Sequence, residues 1–131
     1  MKIALGLGCD RNTPITTLRA TITAALAVCR ERLQDVAAVG SITLKADEPA
    51  LLQLAAEEGW TIRFYTPAEL AAVEVPNPSE TVRKHTGTPS VSEAAALLAA
   101  GTDKSDLLIE KLCHRGPDGR NATVSIARIP E

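Results

Sequence analysis

Aromatic side chains are almost missing from this sequence. Among 131 residues there is one tryptophan, one tyrosine and one phenylalanine, although apolar residues make up 45% of the chain. The core must therefore be built from alanine, leucine, valine and isoleucine. A chain of this length can bury a core of its own, so we expect residues 1–131 to form a single domain.

Long apolar stretches and an excess of basic residues are missing as well. No apolar run approaches the ~18 residues of a membrane span, and the N-terminus lacks the apolar core of a signal peptide. The formal net charge of −2 argues against a broad nucleic-acid-binding surface. We therefore predict a cytoplasmic protein whose partners include neither a membrane nor a nucleic acid.

The three cysteines and two histidines do not form a metal-binding or disulfide pattern. Cys9, Cys29 and Cys113 lie far apart without a Cys-x-x-Cys motif, and the histidines lack the paired spacing of metal ligands. Free thiols of this kind are typical of a reducing cytoplasm. We expect neither a metal site nor a cofactor.

Apolar periodicity predicts that strands and helices alternate in the first half of the chain. Ile3–Leu7, Val39–Leu44 and Trp60–Tyr65 have the length and composition of strands. A stripe of apolar residues at three- and four-residue steps predicts a helix from about Pro14 to Leu33, and a second helix ends at Gly59. Short links between strand and helix are typical of parallel strands joined by right-handed crossovers.

The C-terminal part predicts a helix followed by a hairpin. Ala94–Ala100 reads as a helix closed by Gly101, and two strands, Leu107–Cys113 and Ala122–Ile129, flank a turn-rich loop. The whole pattern predicts an α/β fold with three layers, α/β/α. Its sheet is mixed but mostly parallel, with about five strands and a C-terminal antiparallel hairpin.

A glycine-containing turn joins the first strand to the first helix. Gly6 and Gly8 form a Gly-x-Gly pattern, and Thr13 precedes Pro14 as the expected N-cap and first helical residue. Neither the dinucleotide-binding nor the Walker pattern is complete. Two interpretations remain open: the glycines let strand and helix pack closely, or backbone N–H groups at the helix start bind an anion.

The charges at this helix start favour an external anion. Later helix starts carry a glutamate three residues after the cap, whereas Thr16 holds that position here, so the positive helix end has no carboxylate of its own. Arg11 stands just before the helix, and we predict that Arg11 and Thr13 contribute to anion binding. Asp10 is the alternative, because it could neutralise the helix end from the loop.

Cys9, Lys45, Asp47 and Glu48 are candidates for chemistry. They follow the carboxyl ends of two predicted parallel strands, the edge at which such sheets bind ligands. Cys9 is either a nucleophile with a lowered pKa or a structural, ligand-lining thiol. The other three residues supply acid–base chemistry or a salt bridge to a ligand, or else form a helix cap and a solvated lysine.

Residues 66–92 interrupt the regular alternation of strands and helices. Thr66, Asn77 and Ser90 each have a glutamate three residues further on, as in a capping box. Proline-rich corners lie between them. Such a segment either covers or lines a site or is only an elaborate connection.

Several motifs stand in a fixed order along the chain. They are Gly6–Cys9, Thr43–Pro49, Phe64–Tyr65, Val73–Glu80, Gly87–Leu97 and Asn121–Arg128. In this order they resemble the CobE family of cobalamin biosynthesis proteins, which is similar to the C-terminal domain of CbiG. The resemblance covers nearly the whole chain.

This resemblance implies a role in the aerobic corrin-ring pathway, with a precorrin or related corrin intermediate as ligand and other enzymes of the pathway as potential partners. The longer CbiG proteins open the ring-A lactone of a cobalt-precorrin and release acetaldehyde. This chain lacks their N-terminal part, so that activity does not carry over. Three roles stay open: a carrier or protector of an intermediate, an enzyme that hydrolyses or rearranges a precorrin, and an accessory subunit.

The motif matches also imply which residues line the ligand. Precorrins carry many acetate and propionate carboxylates, for which the helix start and a second glycine turn beside Arg83 and Lys84 are the predicted anchors. Phe64, Tyr65 and Val75–Pro78 offer apolar surface to the macrocycle. The predicted ligand-binding residues are Gly6, Gly8, Cys9, Arg11, Thr13, Lys45, Asp47, Asn77, Ser79, Gly87, Thr88 and Ser90.

Overall fold

A computed structural model describes residues 1–76 and 91–130 of the chain. In chain order the strands and helices are β1 (Ile3–Cys9), α1 (Ile15–Cys29), β2 (Val36–Ile42), α2 (Pro49–Glu58), β3 (Ile62–Tyr65), α3 (Pro67–Ala71), α4 (Val91–Ala100), β4 (Leu107–Arg115) and β5 (Asn121–Arg128). In these residues no helix is both long and apolar enough to cross a membrane.

The sheet has five strands in the order β3-β2-β1-β5-β4. β1, β2 and β3 pair in parallel, whereas β5 is antiparallel to both β1 and β4. Four strands therefore point the same way and only β5 runs against them. The predicted mixed, mostly parallel sheet with a C-terminal hairpin is confirmed.

The two faces of the sheet carry side chains of different size. On β1, Ile3, Leu5 and Leu7 are fully buried and belong to the large core beneath α1 and α2. The alternate residues Ala4 and Gly6 face α4 on the opposite side. Because helices cover both faces, the predicted three-layer α/β/α architecture is confirmed.

Two glycines let α4 approach the sheet closely. Gly6 and Gly40 are direct partners in the parallel pairing of β1 with β2. A Cβ atom on Gly6 would lie 1.8 Å from the carbonyl oxygen of Ser92, and one on Gly40 would lie 2.8 Å from that of Ala95. The backbone of α4 thus rests directly on the sheet, so Gly6 serves close packing.

Several predicted boundaries and caps are confirmed. Gly59 and Gly101 end α2 and α4 with φ angles of +71° and +69°, conformations that favour glycine. Thr66 and Glu69 form the predicted capping box, in which the Glu69 N–H donates to Thr66 Oγ1 at 3.1 Å. The caps expected at Asn77 and Ser90 lie outside the described residues.

Other boundaries differ from the prediction. α1 begins one residue later than expected, with Pro14 as its N-cap residue, and it ends at Cys29 because Arg30 adopts a left-handed conformation with φ of +58°. β2 ends at Ile42 instead of Leu44. Leu44 lies in a short 3-10 turn and is exposed.

Candidate functional site

The direction of the strands gathers one set of loops at a single edge of the sheet. The carboxyl edge, as we name it, consists of Cys9 at the end of β1 with residues 10–13 after it, residues 43–48 after β2, and Asn121 at the start of β5 with Arg120 before it. Strands β2 and β3 lie on one side of β1, and the later strands β5 and β4 lie on the other. In α/β sheets the crevice at such a change of strand order is the usual ligand site.

Arg11 joins the first two loops of the carboxyl edge. Its Nη1 atom lies 2.7 Å from Asp47 Oδ1 and 3.4 Å from Glu48 Oε2. Its Nη2 atom donates to the carbonyl oxygen of Leu44. The guanidinium group is therefore held by residues that follow β2, although half of its side-chain surface remains exposed.

Glu48 is the buried member of this cluster. Its side chain is 1% exposed, and its Oε1 atom accepts a hydrogen bond from the backbone N–H of Asn12 at 2.9 Å. Asn12 has φ of +62°, a left-handed conformation that costs energy for most side chains but less for asparagine. Glu48, which lies in the loop between β2 and α2, thus stabilises the tight turn between β1 and α1.

The start of β5 holds the same turn from the opposite side. The Asp10 N–H donates to the Asn121 carbonyl at 2.9 Å, and the Asn121 N–H donates back to Asp10 Oδ2 at 2.8 Å. Arg120 Nε donates to the Arg11 carbonyl at 3.0 Å. Sequence reasoning did not assign Arg120 and Asn121 to the site. The predicted hairpin was the available signal, since a strand antiparallel to β1 must begin where β1 ends.

The predicted N-cap of α1 is wrong. The Thr13 hydroxyl donates to the carbonyl oxygens of Asp10 and Asn121 at 2.7 and 3.3 Å, and no side-chain bond caps the helix. The hairpin turn covers the first helical turn, because a Cβ atom on Gly116 would lie 2.5 Å from Thr17 Oγ1. The helix start also has a protein carboxylate nearby, since buried Glu48 binds the turn before it.

Cys9 ends β1 as a half-buried thiol. Burial raises the pKa of Cys9 to about 11, the negative charge of Glu48 adds to the rise, and the positive charge of Lys45 opposes it. The thiol is therefore protonated near neutral pH, the opposite of the lowered pKa that a nucleophile requires. This favours the structural, ligand-lining interpretation of Cys9.

The structure brings most of the predicted site residues that it describes to the carboxyl edge. Cys9, Arg11, Thr13, Lys45, Asp47 and Glu48 lie together there, and Gly8 directly precedes them on β1. Gly6 lies beneath α4 instead. The remaining predicted ligand residues, Asn77, Ser79, Gly87, Thr88 and Ser90, lie outside the described residues.

Two open concavities lie away from the carboxyl edge. A groove of about 390 Å³ lies beside α1, with Ile22 and Leu26 of α1 and Leu54 of α2 among its lining. A second, of about 410 Å³, lies at the amino ends of β2 and β3 beside Trp60. No group of three or more metal-ligating side chains occurs within residues 1–76 and 91–130.

Fold and site together define a three-layer α/β/α domain with a cluster of charged residues at the end of its first strand. Residues 3–127 match the family described as Cobalamin synthesis G C-terminus. The chain belongs to this family, and its role lies in cobalamin biosynthesis.

Two curated proteins illustrate the relationship. The chain is 38% identical over 128 residues to the Cobalt-precorrin-5A hydrolase of Priestia megaterium, a match that covers 98% of this chain and 32% of the hydrolase. It is also 38% identical over 112 residues to Protein CobE of a Sinorhizobium species, covering 84% and 72% of the two chains. The chain thus spans about a third of the length of the hydrolase.

Solved structures show the same fold. A crystal structure of CobE, a protein from the cobalamin biosynthetic pathway, superimposes with a TM-score of 0.85 at 34% identity, covering 99% of this chain and 95% of that one. The cobalamin biosynthesis protein ChiG from Agrobacterium tumefaciens gives a TM-score of 0.70 at 29% identity, covering 98% and 99%. The predicted relationship to CobE and to the C-terminal domain of CbiG is confirmed.

Proposed function

We propose that this chain binds a precorrin-type intermediate at the carboxyl edge and carries or protects it without changing it. Precorrins display many carboxylates around an apolar macrocycle, so their recognition calls for several cationic donors on one surface. The observation that carries the proposal is the convergence of Arg11, Lys45 and Arg120 on one edge. The side chains of Arg11 and Arg120 are 50% and 45% exposed, which leaves both within reach of a ligand.

A binding role fits the chemistry of the edge better than nucleophilic catalysis does. The Cys9 thiol, with its pKa raised to about 11, is protonated at neutral pH. Asp47 and Glu48 both pair with Arg11, an arrangement that positions a cation, and the hydrogen bond and charge of Arg11 lower the pKa of the Asp47 carboxyl. A guanidinium group held in this way recognises carboxylates through fixed N–H donors.

The test is incubation of the purified chain with precorrin intermediates of the aerobic pathway. Binding is followed by the corrinoid absorption spectrum and turnover by mass spectrometry. We expect a spectral shift with an unchanged ligand mass. A change in ligand mass beyond the protein-free control would make the chain an enzyme, and the absence of any spectral shift would remove the binding role.

Arginine variants locate the binding surface. Arg11→Ala should weaken binding by roughly tenfold, because it removes a partly desolvated charge-assisted contact. Arg19→Ala is the matched control: Arg19 also bridges two carboxylates, those of Glu57 and Glu58, but lies on α1 beside α2. Equal affinities of the two variants would place the ligand elsewhere.

A hydrolytic or rearranging activity is the second candidate. The observation in its favour is the 38% identity to a cobalt-precorrin-5A hydrolase along 98% of this chain. Its catalytic groups would be Cys9, Lys45, Asp47 or Glu48, all at the carboxyl edge. The mass measurement described above separates this candidate from the carrier.

An accessory subunit of another corrin-pathway enzyme is the third candidate. Leu33, which is 37% exposed, lines the groove beside α1, and Val28 on α1 itself is 65% exposed. A complex with a pathway enzyme in the absence of any bound corrinoid would favour this role. For each candidate we place the chain in the cytoplasm, where its three free cysteines would stay reduced.

A further inference from the structure

Arg11 has two carboxylate partners that differ sharply in how firmly they are held. Asp47 Oδ1 lies 2.7 Å from Arg11 Nη1, and the Asp47 side chain is 81% exposed. Glu48 Oε2 lies 3.4 Å from the same atom, but its side chain is 1% exposed and is also bound by the Asn12 N–H. Removal of Glu48 from Arg11 would leave a buried charge, whereas removal of Asp47 would return its carboxylate to water.

The loop that carries Asp47 does not depend on this ion pair. The Ala46 N–H donates to the Thr43 carbonyl at 3.1 Å, and the Glu48 N–H donates to the Lys45 carbonyl at 3.0 Å. These backbone bonds fix the turn between β2 and α2. The Asp47 side chain can therefore leave Arg11 without unfolding the turn, and an exposed ion pair contributes little stability of its own.

We propose that Asp47 is an exchangeable internal carboxylate: it takes the position on Arg11 that a carboxylate of the ligand takes when the ligand binds. The inference rests on the binding function proposed above and adds to it a specificity-determining pair. Glu48 stays on Arg11 throughout and orients the guanidinium group toward the crevice. A ligand can bind Arg11 only if it has a carboxylate at the right position. Its contact with Arg11 must then offset the loss of the ion pair between Arg11 and Asp47.

If the exchange occurs, removal of the ion pair between Asp47 and Arg11 should increase the affinity for the ligand, whereas removal of a polar contact usually lowers affinity. Asp47→Asn keeps the size of the side chain but removes the competing charge. We expect this variant to bind an anionic tetrapyrrole about two- to fivefold more tightly than the wild type, the range expected for loss of one exposed ion pair. Uroporphyrin, a tetrapyrrole with eight carboxylates, is the probe, and its octamethyl ester is the uncharged comparison.

Two controls separate exchange from a general effect of charge. Glu57→Gln removes one negative charge from an equally short, 2.7 Å bridge to Arg19, away from the carboxyl edge, and should leave the affinity unchanged. In an Arg11→Ala background, Asp47→Asn should no longer tighten binding, because the contact over which the two carboxylates compete is gone.

A spectroscopic measurement follows Asp47 directly. In the protein alone, the hydrogen bond and charge of Arg11 hold the pKa of the Asp47 carboxyl below its ordinary value of 3.8. Displacement by a ligand carboxylate at neutral pH should move Asp47 away from Arg11, and the NMR chemical shift of the Asp47 carboxyl carbon, compared with and without the probe, detects this change. An unchanged chemical shift in the saturated complex would overturn the exchange.

The outcomes distinguish this inference from the function on which it rests. If the wild type binds the probe but Asp47→Asn binds equally or more weakly, exchange is wrong and the carrier role stands. If Asp47→Asn tightens binding equally with and without Arg11, the effect is general electrostatics and exchange is again wrong. If the wild type binds neither uroporphyrin nor any precorrin intermediate, the proposed function fails and the inference fails with it.

Discussion

Replacement of Gly6 by alanine tests whether the glycine turn of β1 serves packing. The added Cβ atom would meet three backbone atoms of α4, and the nearest, the Ser92 carbonyl oxygen, would lie only 1.8 Å away. Such contacts are essentially never shorter than 3.0 Å, so α4 would have to move by more than 1 Å. Backbone cannot yield as the end of a flexible side chain does. Overpacking costs typically 1–3 kcal/mol, and we expect Gly6→Ala to cost about 3 kcal/mol or more.

Gly8→Ala is the matched control two residues further along β1. A Cβ atom there would find nothing nearer than Val91 Cγ1 at 3.9 Å, an ordinary van der Waals contact. We expect its free energy of unfolding to stay within about 0.5 kcal/mol of wild type. Urea unfolding followed by circular dichroism gives both values, with the slope m checked for each variant. If the free energies of unfolding of Gly6→Ala and Gly8→Ala differ by less than about 1 kcal/mol, the packing argument is refuted.

Three further predictions concern the neighbouring strand, the thiol and the ion pair. Gly40→Ala should cost about 1–3 kcal/mol in the same urea assay, because its contact with the Ala95 carbonyl at 2.8 Å is less severe. In a variant whose other cysteines are serine, iodoacetamide should alkylate Cys9 slowly at pH 8, with a rate that rises toward pH 11; a plateau near pH 8 would contradict the raised pKa. Arg11 lowers the pKa of Asp47 in the folded protein. The ionised Asp47 carboxylate therefore contributes its full stabilisation above about pH 4, and this stabilisation is lost as the pH falls through the pKa of Asp47 in the folded state. The difference in urea midpoint between wild type and Asp47→Asn should therefore shrink from pH 7 to pH 2, and a constant difference would contradict it.

Local signals predicted the order and type of the elements well. Alternating apolar runs and short links sufficed for the parallel strands β1 to β3, because a buried strand and an amphipathic helix each have a periodicity of their own. The C-terminal ends of α2 and α4 could also be predicted, since a helix often ends at a glycine in the left-handed conformation and Gly59 and Gly101 adopt it. The capping box at Thr66 needs only residues four positions apart.

Features that depend on distant residues could not be predicted. Thr13 has the chemistry of an N-cap, but its hydroxyl binds the carbonyl of Asn121, 108 residues away. The burial of Glu48 follows from the approach of the β1–α1 turn to the β2–α2 turn, which no local pattern encodes. α1 ends just before Arg30, which adopts a left-handed conformation although it is not a glycine, so no local pattern indicated that the helix ends there.

The two glycines of the Gly-x-Gly pattern of β1 differ in what surrounds them. Gly6 and its strand partner Gly40 remove the side chains beneath α4, so that this helix can lie directly on the centre of the sheet. This packing places Cγ1 of Val91, the first residue of α4, 3.9 Å from the position that a Cβ atom on Gly8 would take near the end of β1. A Cβ atom on Gly8 would be in ordinary van der Waals contact, so close packing does not require a glycine there. The first glycine thus serves the packing of α4 on the sheet, whereas the second lies beside the edge at which we propose that the ligand binds.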